Sequence, residues 1–256
     1  MTQNFASEAS ESPVALVIGA GDATGGAVAK RFARAGYTVC ATRRELAKLD
    51  ALVASVQADG GQIHAFGSDA RDEAQVVALV EQIEREIGPI EVLVFNIGAN
   101  SPMSVLTETE RRLTKLWQMG CLAGFLNGRE VAKRMVARPL NAQGTRGTII
   151  FTGATASLRG SAGFAGFSIA KMGLRALAQA MARELQPQGI HVVHTVIDGA
   201  IDTDFIRTQF PERYALKATD GILKPESIAD TYLMLHQQSR DAWTHELDMR
   251  PYSEKF

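Results

Sequence analysis

Cysteine is scarce in this chain of 256 residues: Cys40 and Cys121 are the two present, with no CxxC pairing and no zinc-type spacing. Reduced thiols in a cytoplasmic protein are the expectation, rather than a disulfide framework. An excess of either charge is also lacking, since 27 Lys and Arg stand against 28 Asp and Glu for a formal net charge of −1. A chain so balanced has no field to draw it onto nucleic acid or an anionic membrane surface. Long apolar runs are absent too, none approaching the roughly 18 residues that a membrane span requires. Met1 to Ser12 is polar and rich in Ser and Glu, without the basic start or apolar stretch of a signal peptide, so residues 1–12 are expected to form a flexible tail. Of the five histidines, His191 and His194 are three apart in a strand-like run and would face opposite sides, so no metal centre is expected.

What remains is the composition of one soluble α/β domain, with 46% hydrophobic and 21% charged residues. The run Val14 to Ile18 reads as a strand, the Gly-rich turn after it opens a helix marked by Val28, Phe32 and Ala33, and the pattern then repeats. Strands are predicted at 38–41, 62–66, 91–95, 148–151 and 191–196. Helices are predicted at 45–56, 72–87, 109–118, 122–137 and 164–185, the last stopped by Gln186-Pro187-Gln188-Gly189. Alternation of this kind implies a single doubly wound parallel sheet, a Rossmann fold with helices on both faces, spanning residues 13–256 as one domain. The stretch from Asp198 to Gly221 reads as a long loop, of the sort that covers a ligand.

The turn Gly19-Ala20-Gly21-Asp22-Ala23-Thr24-Gly25 follows a strand and opens a helix, where backbone can approach a pyrophosphate and free N–H groups meet its charge. Asn96-Ile97-Gly98 at the end of the fourth strand and Asp69 after the third fall on the same rim. With Lys171 in Phe167-Ser168-Ile169-Ala170-Lys171, these segments make the chain resemble the short-chain dehydrogenase/reductase family from Val14 to about Arg250. The family's Gly-x-x-x-Gly-x-Gly corresponds here to Gly19, Ala23 and Gly25, so the middle glycine has gained a methyl group. The second strand ends in Thr42-Arg43-Arg44, with Thr42 in the usual acidic slot. Two guanidiniums and no carboxylate in that segment favour the 2′-phosphate of NADP(H) over the ribose of NAD(H). The resemblance implies that Asp69 meets the adenine, Asn96 lines the ribose and Thr203 touches the nicotinamide carboxamide.

The same resemblance assigns a tyrosine, a serine and an asparagine to the chemistry beside the lysine. Those slots hold Phe167, Ala154 (thirteen residues earlier) and Gly120 (three after Trp117). Lys171 alone survives of the four. Thr155, next to Ala154, is the nominated replacement donor, with Ser157 and Ser168 weaker choices. Asp198, Asp202 and Asp204 could carry acid/base chemistry, although exposed loop acids more often cap helices. The reading is an NADP-dependent oxidoreductase working on a small, hydrophobic substrate without a tyrosine acid. Two alternatives stay open: a catalytically impaired nucleotide-binding sensor or partner subunit, and a non-redox enzyme reusing the pocket. A homodimer or homotetramer through 122–137 and 164–185 is also expected, because helix 164–185 carries apolar residues on most faces, Met172, Leu174, Leu177, Ala178 and Met181 among them.

Overall fold

The computed structural model describes residues 12–255, so that 1–11, nearly all of the expected tail, lie outside the described residues. Seven parallel strands form one sheet in the order β3-β2-β1-β4-β5-β6-β7: β1 Val14–Ile18, β2 Thr38–Arg43, β3 Gln62–Gly67, β4 Ile90–Phe95, β5 Gly147–Thr152, β6 Ile190–Ile197 and β7 Glu246–Met249. All five residues of β1 are buried, and their side chains divide by parity. Val14, Leu16 and Ile18 join one apolar layer, while Ala15 and Val17 join the other. A strand apolar on both faces is what a parallel sheet covered by helices on both sides demands.

The covering helices are α1 Thr24–Arg34, α2 Asp50–Ala58, α3 Glu73–Glu86, α4 Glu110–Trp117, α5 Ala123–Ala137, α6 Ala165–Leu185, α7 Asp204–Gln209, α8 Pro211–Ala215 and α9 Pro225–His236. Local chemistry sets several ends. Asp72 Oδ1 accepts from Gln75 N–H at 3.1 Å to start α3, and Gly189 at φ 86° turns the chain after α6, a conformation that costs glycine least.

Three expectations are corrected. The helix expected at 45–56 begins at Asp50, because Leu46–Leu49 winds as a tighter turn first. The two helices expected at 109–118 and 122–137 run together through a π-helical turn, Gln118–Leu122. Residues 198–221 are not one loop but hold α7 and α8.

Helix α9 is tied to the sheet by buried polar contacts. His236 Nδ1 shares a 2.8 Å hydrogen bond with Thr148 Oγ1, and its Nε2 shares one of 2.7 Å with Tyr37 Oη. Tyr232 Oη meets both Thr152 Oγ1 (2.8 Å) and Thr195 Oγ1 (2.7 Å). At the far sheet edge His194 Nδ1 donates to Glu246 Oε2 at 2.9 Å, and Arg175 clamps the same carboxylate with two hydrogen bonds of 2.7 Å.

Candidate active site

The carboxyl ends of β1, β2 and β4 converge on the glycine turn, the place where open α/β sheets take ligands. Gly19 holds φ 85°, and a Cβ on it would stand 2.9 Å from the Asn96 carbonyl oxygen. Gly25 is more restricted still. A Cβ there would lie 2.2 Å from Gly19 O, so the backbone of the turn passes directly under the start of α1. Gly21 has open space around it and is not required to be glycine by packing. Asn96 fixes the turn from below, its Nδ2 donating to Gly19 O at 3.3 Å. Ala23 sits at the N-cap of α1 without a side-chain cap, Thr24 is the first helical residue, and the first turn has no acid. Gly21 O takes the N–H of Gly26 at 2.7 Å, and the N–H groups of Thr24 and Gly25 lie at the positive end of the helix dipole, which suits an anion.

A cavity of about 160 Å³ opens beside this turn, lined among others by Thr42, Arg43, Arg44, Asp69, Arg71 and Met119. Three guanidiniums thus border one small space. Arg43 Nη1 donates to Asp22 Oδ1 at 3.2 Å and to Lys48 O at 3.1 Å. A carboxylate therefore does stand near the second strand, delivered by the glycine turn. Asp69 is held by Arg71, whose Nε and Nη2 reach its two oxygens at 2.9 and 2.5 Å. Those bonds keep the Asp69 carboxyl below its usual range and occupy the oxygens expected to meet an adenine. The cradle, the free helix end and the guanidiniums together fit a dinucleotide with an acidic pyrophosphate.

Lys171 projects from α6 to the ends of β4 and β5, donating to Ile97 O at 3.0 Å and Thr152 O at 2.7 Å. It is buried, and removal from water brings its ammonium down to about 8. A Cβ built on Gly98 would lie 3.3 Å from Lys171 Nζ and 3.6 Å from Phe167 Cε2. The ring edge and the ammonium thus flank one point, as residues four apart on a helix should. Gly120 lies in the π-helical turn, packed so that a Cβ would meet Ala170 Cβ at 2.9 Å.

At the ends of β5 and β6, Thr155 Oγ1 donates to Asp198 Oδ1. Asp198 is 3% exposed, with Arg250 Nη1 at 3.4 Å and Arg159 Nη2 at 4.0 Å from its oxygens. Ser157 turns inward, its Oγ accepting from Ala154 N–H at 3.1 Å. Ser168 is buried on α6, and Tyr232 is fully buried in the hydroxyl contacts of α9. Thr203 Oγ1 accepts from Ile206 N–H at 3.1 Å as the cap of α7, leaving its proton and one lone pair for a ligand. Asp202 pairs with Lys217 at 2.7 Å, and Asp204 is exposed beside Arg207. Sequence reasoning missed Asp22, Arg71 and Arg250; no local pattern marks them, because each acts through its partner in space.

A parallel sheet with a glycine cradle under a helix end and a buried lysine at the strand ends is a Rossmann-like architecture, of the class that takes ligands at the carboxyl ends of its strands. The profile of the short chain dehydrogenase family matches residues 13–213, and the chain belongs to that family. A solved short-chain dehydrogenase from Rhodopseudomonas palustris is 44% identical, with a TM-score of 0.77 over 94% of this chain and 99% of that one. The 2,3-dihydro-2,3-dihydroxybenzoate dehydrogenase of Bacillus subtilis is 27% identical over 88% of this chain and 89% of its own. A metagenomic short-chain oxidoreductase solved in complex with NADP shares the fold, with 24% identity and a TM-score of 0.77 over 93% and 97% of the two chains. Among the described residues no helix is long and apolar enough to cross a membrane.

Proposed function

We propose that the chain is an NADP-preferring, cytoplasmic oxidoreductase that turns over a small, hydrophobic substrate without a tyrosine acid. The carrying observation is the pairing of Phe167 with Lys171 against Gly98, in the place where the family resemblance expects a phenol. When bound, the nicotinamide supplies or accepts a hydride. The chain's own part is to hold and orient. Lys171 has a third N–H for a ribose hydroxyl, since two are given to the carbonyls of Ile97 and Thr152. Leu158, Phe205 and Phe210, all partly exposed near the strand ends and α7, offer apolar surface to a substrate. The test is fluorescence titration with NADPH and NADH, followed by a substrate screen with whichever binds. A protein that binds neither nucleotide ends this reading.

The second reading, a nucleotide sensor or partner subunit, is favoured by the side chains of Ala154 and Phe167, neither of which can donate a proton. Nucleotide binding without turnover of any substrate in the screen would select it.

NADPH is expected to bind more than about tenfold tighter than NADH, since one charge-assisted pair with a 2′-phosphate contributes roughly 1.5–3 kcal/mol. Arg43→Ala should erase that preference. Asp22→Asn should widen it, because Asp22 pairs with Arg43 and would repel an incoming phosphate. Equal affinities in the parent protein, or a preference untouched by Arg43→Ala, would remove the assignment.

Association through α5 and α6 is part of the same proposal, with a corrected face. Leu174, Ala178 and Met181 are buried in the chain's own core, whereas Phe125, Ile169 and Met172 are 38%, 48% and 39% exposed. These outward residues are the ones a second copy would cover. Light scattering at micromolar concentration should give a dimer or tetramer mass, and a monomer mass would discard the idea.

A further inference from the structure

We propose that Thr155, backed by Asp198, is a hydrogen-bond acceptor that selects substrates carrying an N–H on the reacting double bond, namely iminium ions, over ketones. This rests on the oxidoreductase reading above. Thr155 follows directly after Ala154 at the end of β5, and Asp198 directly follows β6, its neighbour in the sheet. A hydroxyl has one proton, and Thr155 Oγ1 gives that proton to Asp198 Oδ1. Towards a substrate it can then only accept. A ketone oxygen, itself an acceptor, would meet lone pairs there, while a C=N–H group would complete the chain from substrate to Thr155 to Asp198.

Asp198 is the positioning residue. Its carboxylate is held by its surroundings: Arg250 Nη1 at 3.4 Å, Arg159 Nη2 at 4.0 Å and its own N–H bonded to Met249 O at 2.8 Å. Arg250 also pairs with Asp248, so the two guanidiniums and two carboxylates balance locally. Glu254 stands beyond Gly199 and is shared with Arg213. Lys171 adds an ammonium at the neighbouring strand ends, and Asp198 is the carboxylate that an iminium entering at Thr155 meets against it.

The chemistry closes without an acid. Hydride from the reduced nicotinamide adds to the iminium carbon, the C=N π pair becomes the nitrogen lone pair, and the product is a neutral secondary amine. No proton has to be delivered in that step. A site with phenylalanine at 167 and alanine at 154 is then suited to its substrate.

The experiment compares dihydroisoquinoline, a cyclic imine, with tetralone, a ketone of the same ring size, in the presence of NADPH. Binding of the product-like tetrahydroisoquinoline is followed by saturation-transfer NMR as a readout independent of turnover. The parent chain should reduce the imine at least about 100-fold faster than the ketone, the scale on which a missing acid penalises carbonyl reduction. Thr155→Val should weaken amine binding by about tenfold or more, the cost of an unmade charge-assisted hydrogen bond. Thr155→Ser should restore it. Asp198→Asn should lower binding, and Asp198→Glu should recover part of it, a rescue that a merely structural role would not give. Thermal midpoints and NADPH affinity control for folding in every variant. Equal handling of imine and ketone, no imine binding by a protein that binds NADPH, or full binding in Thr155→Val would overturn the proposal. Failure to bind any nicotinamide nucleotide would instead overturn the parent reading.

Discussion

A variant carrying Ala154→Ser and Phe167→Tyr together should reduce simple ketones with NADPH at least about 100-fold faster than the parent chain, in which that activity should be very slow. General-acid catalysis typically contributes 10²- to 10⁴-fold, and oxyanion stabilisation contributes about as much again. A hydroxyl on the Phe167 ring would enter beside Lys171, whose ammonium is lowered to about 8 by burial and is charged at neutral pH. Each single change should do little, since residues that act as a unit are strongly non-additive. Gly120→Asn is best left out of the variant. A Cβ at that position meets Ala170 Cβ at 2.9 Å, and overpacking of this kind costs roughly 1–3 kcal/mol. The measurement is NADPH oxidation with tetralone. Brisk ketone reduction by the parent chain, unaffected by Lys171→Ala, would show that the active site lies elsewhere.

The second large effect is loss of stability between pH 6.5 and pH 4. His194 and His236 are both brought from 6.5 to about 4, in each case first by burial. For His194 the Glu246 carboxylate opposes the shift in part. Because the folded values lie below the unfolded ones, the unfolded chain binds more protons in that window, and stability falls as pH falls through it. At pH 5 the loss is about 2 kcal/mol per histidine, or about 4 kcal/mol for both. That is a large share of the 5–15 kcal/mol that holds a typical domain folded. Urea unfolding at pH 7 and pH 5 should therefore show a clear drop in midpoint, and His194→Gln/His236→Gln should flatten the difference even if its stability at pH 7 is lower. A midpoint independent of pH in the parent chain would contradict the assignment. pH 5 is chosen because the Glu246 and Asp69 carboxyls, held low by Arg175 and Arg71, still remain ionised there.

Strong hydrophobic patterning made six of the seven strands readable in sequence. The β1 run Val14 to Ile18 is wholly apolar, and β6 is buried along all eight residues. β7 escaped because it is a four-residue edge strand, Glu-Leu-Asp-Met, that is only half covered. The break ahead of α2 escaped because Leu46 to Leu49 has the spacing of a helix and differs only in its winding. At the site, Gly19 and Gly25 were legible because the backbone of the turn demands glycine there, and Lys171 through its place in the family's motif. Thr155 and Asp198 could each be named but not joined, being 43 residues apart in sequence. The holds of Arg43 on Asp22 and of Arg71 on Asp69 depend on rotamers at the rim, which no periodicity encodes.

Thr152 touches both layers of the molecule at once. Its hydroxyl bonds Tyr232 on α9, while its carbonyl receives Lys171 from α6. The sheet at this point is a plank rather than a partition, and a side chain pressed on one side shifts what rests on the other. The seat of the ammonium is consequently set from behind, by a helix on the opposite face of the sheet, and substitutions beneath α9 should be judged by their registry with Thr152 rather than by their distance from the cleft.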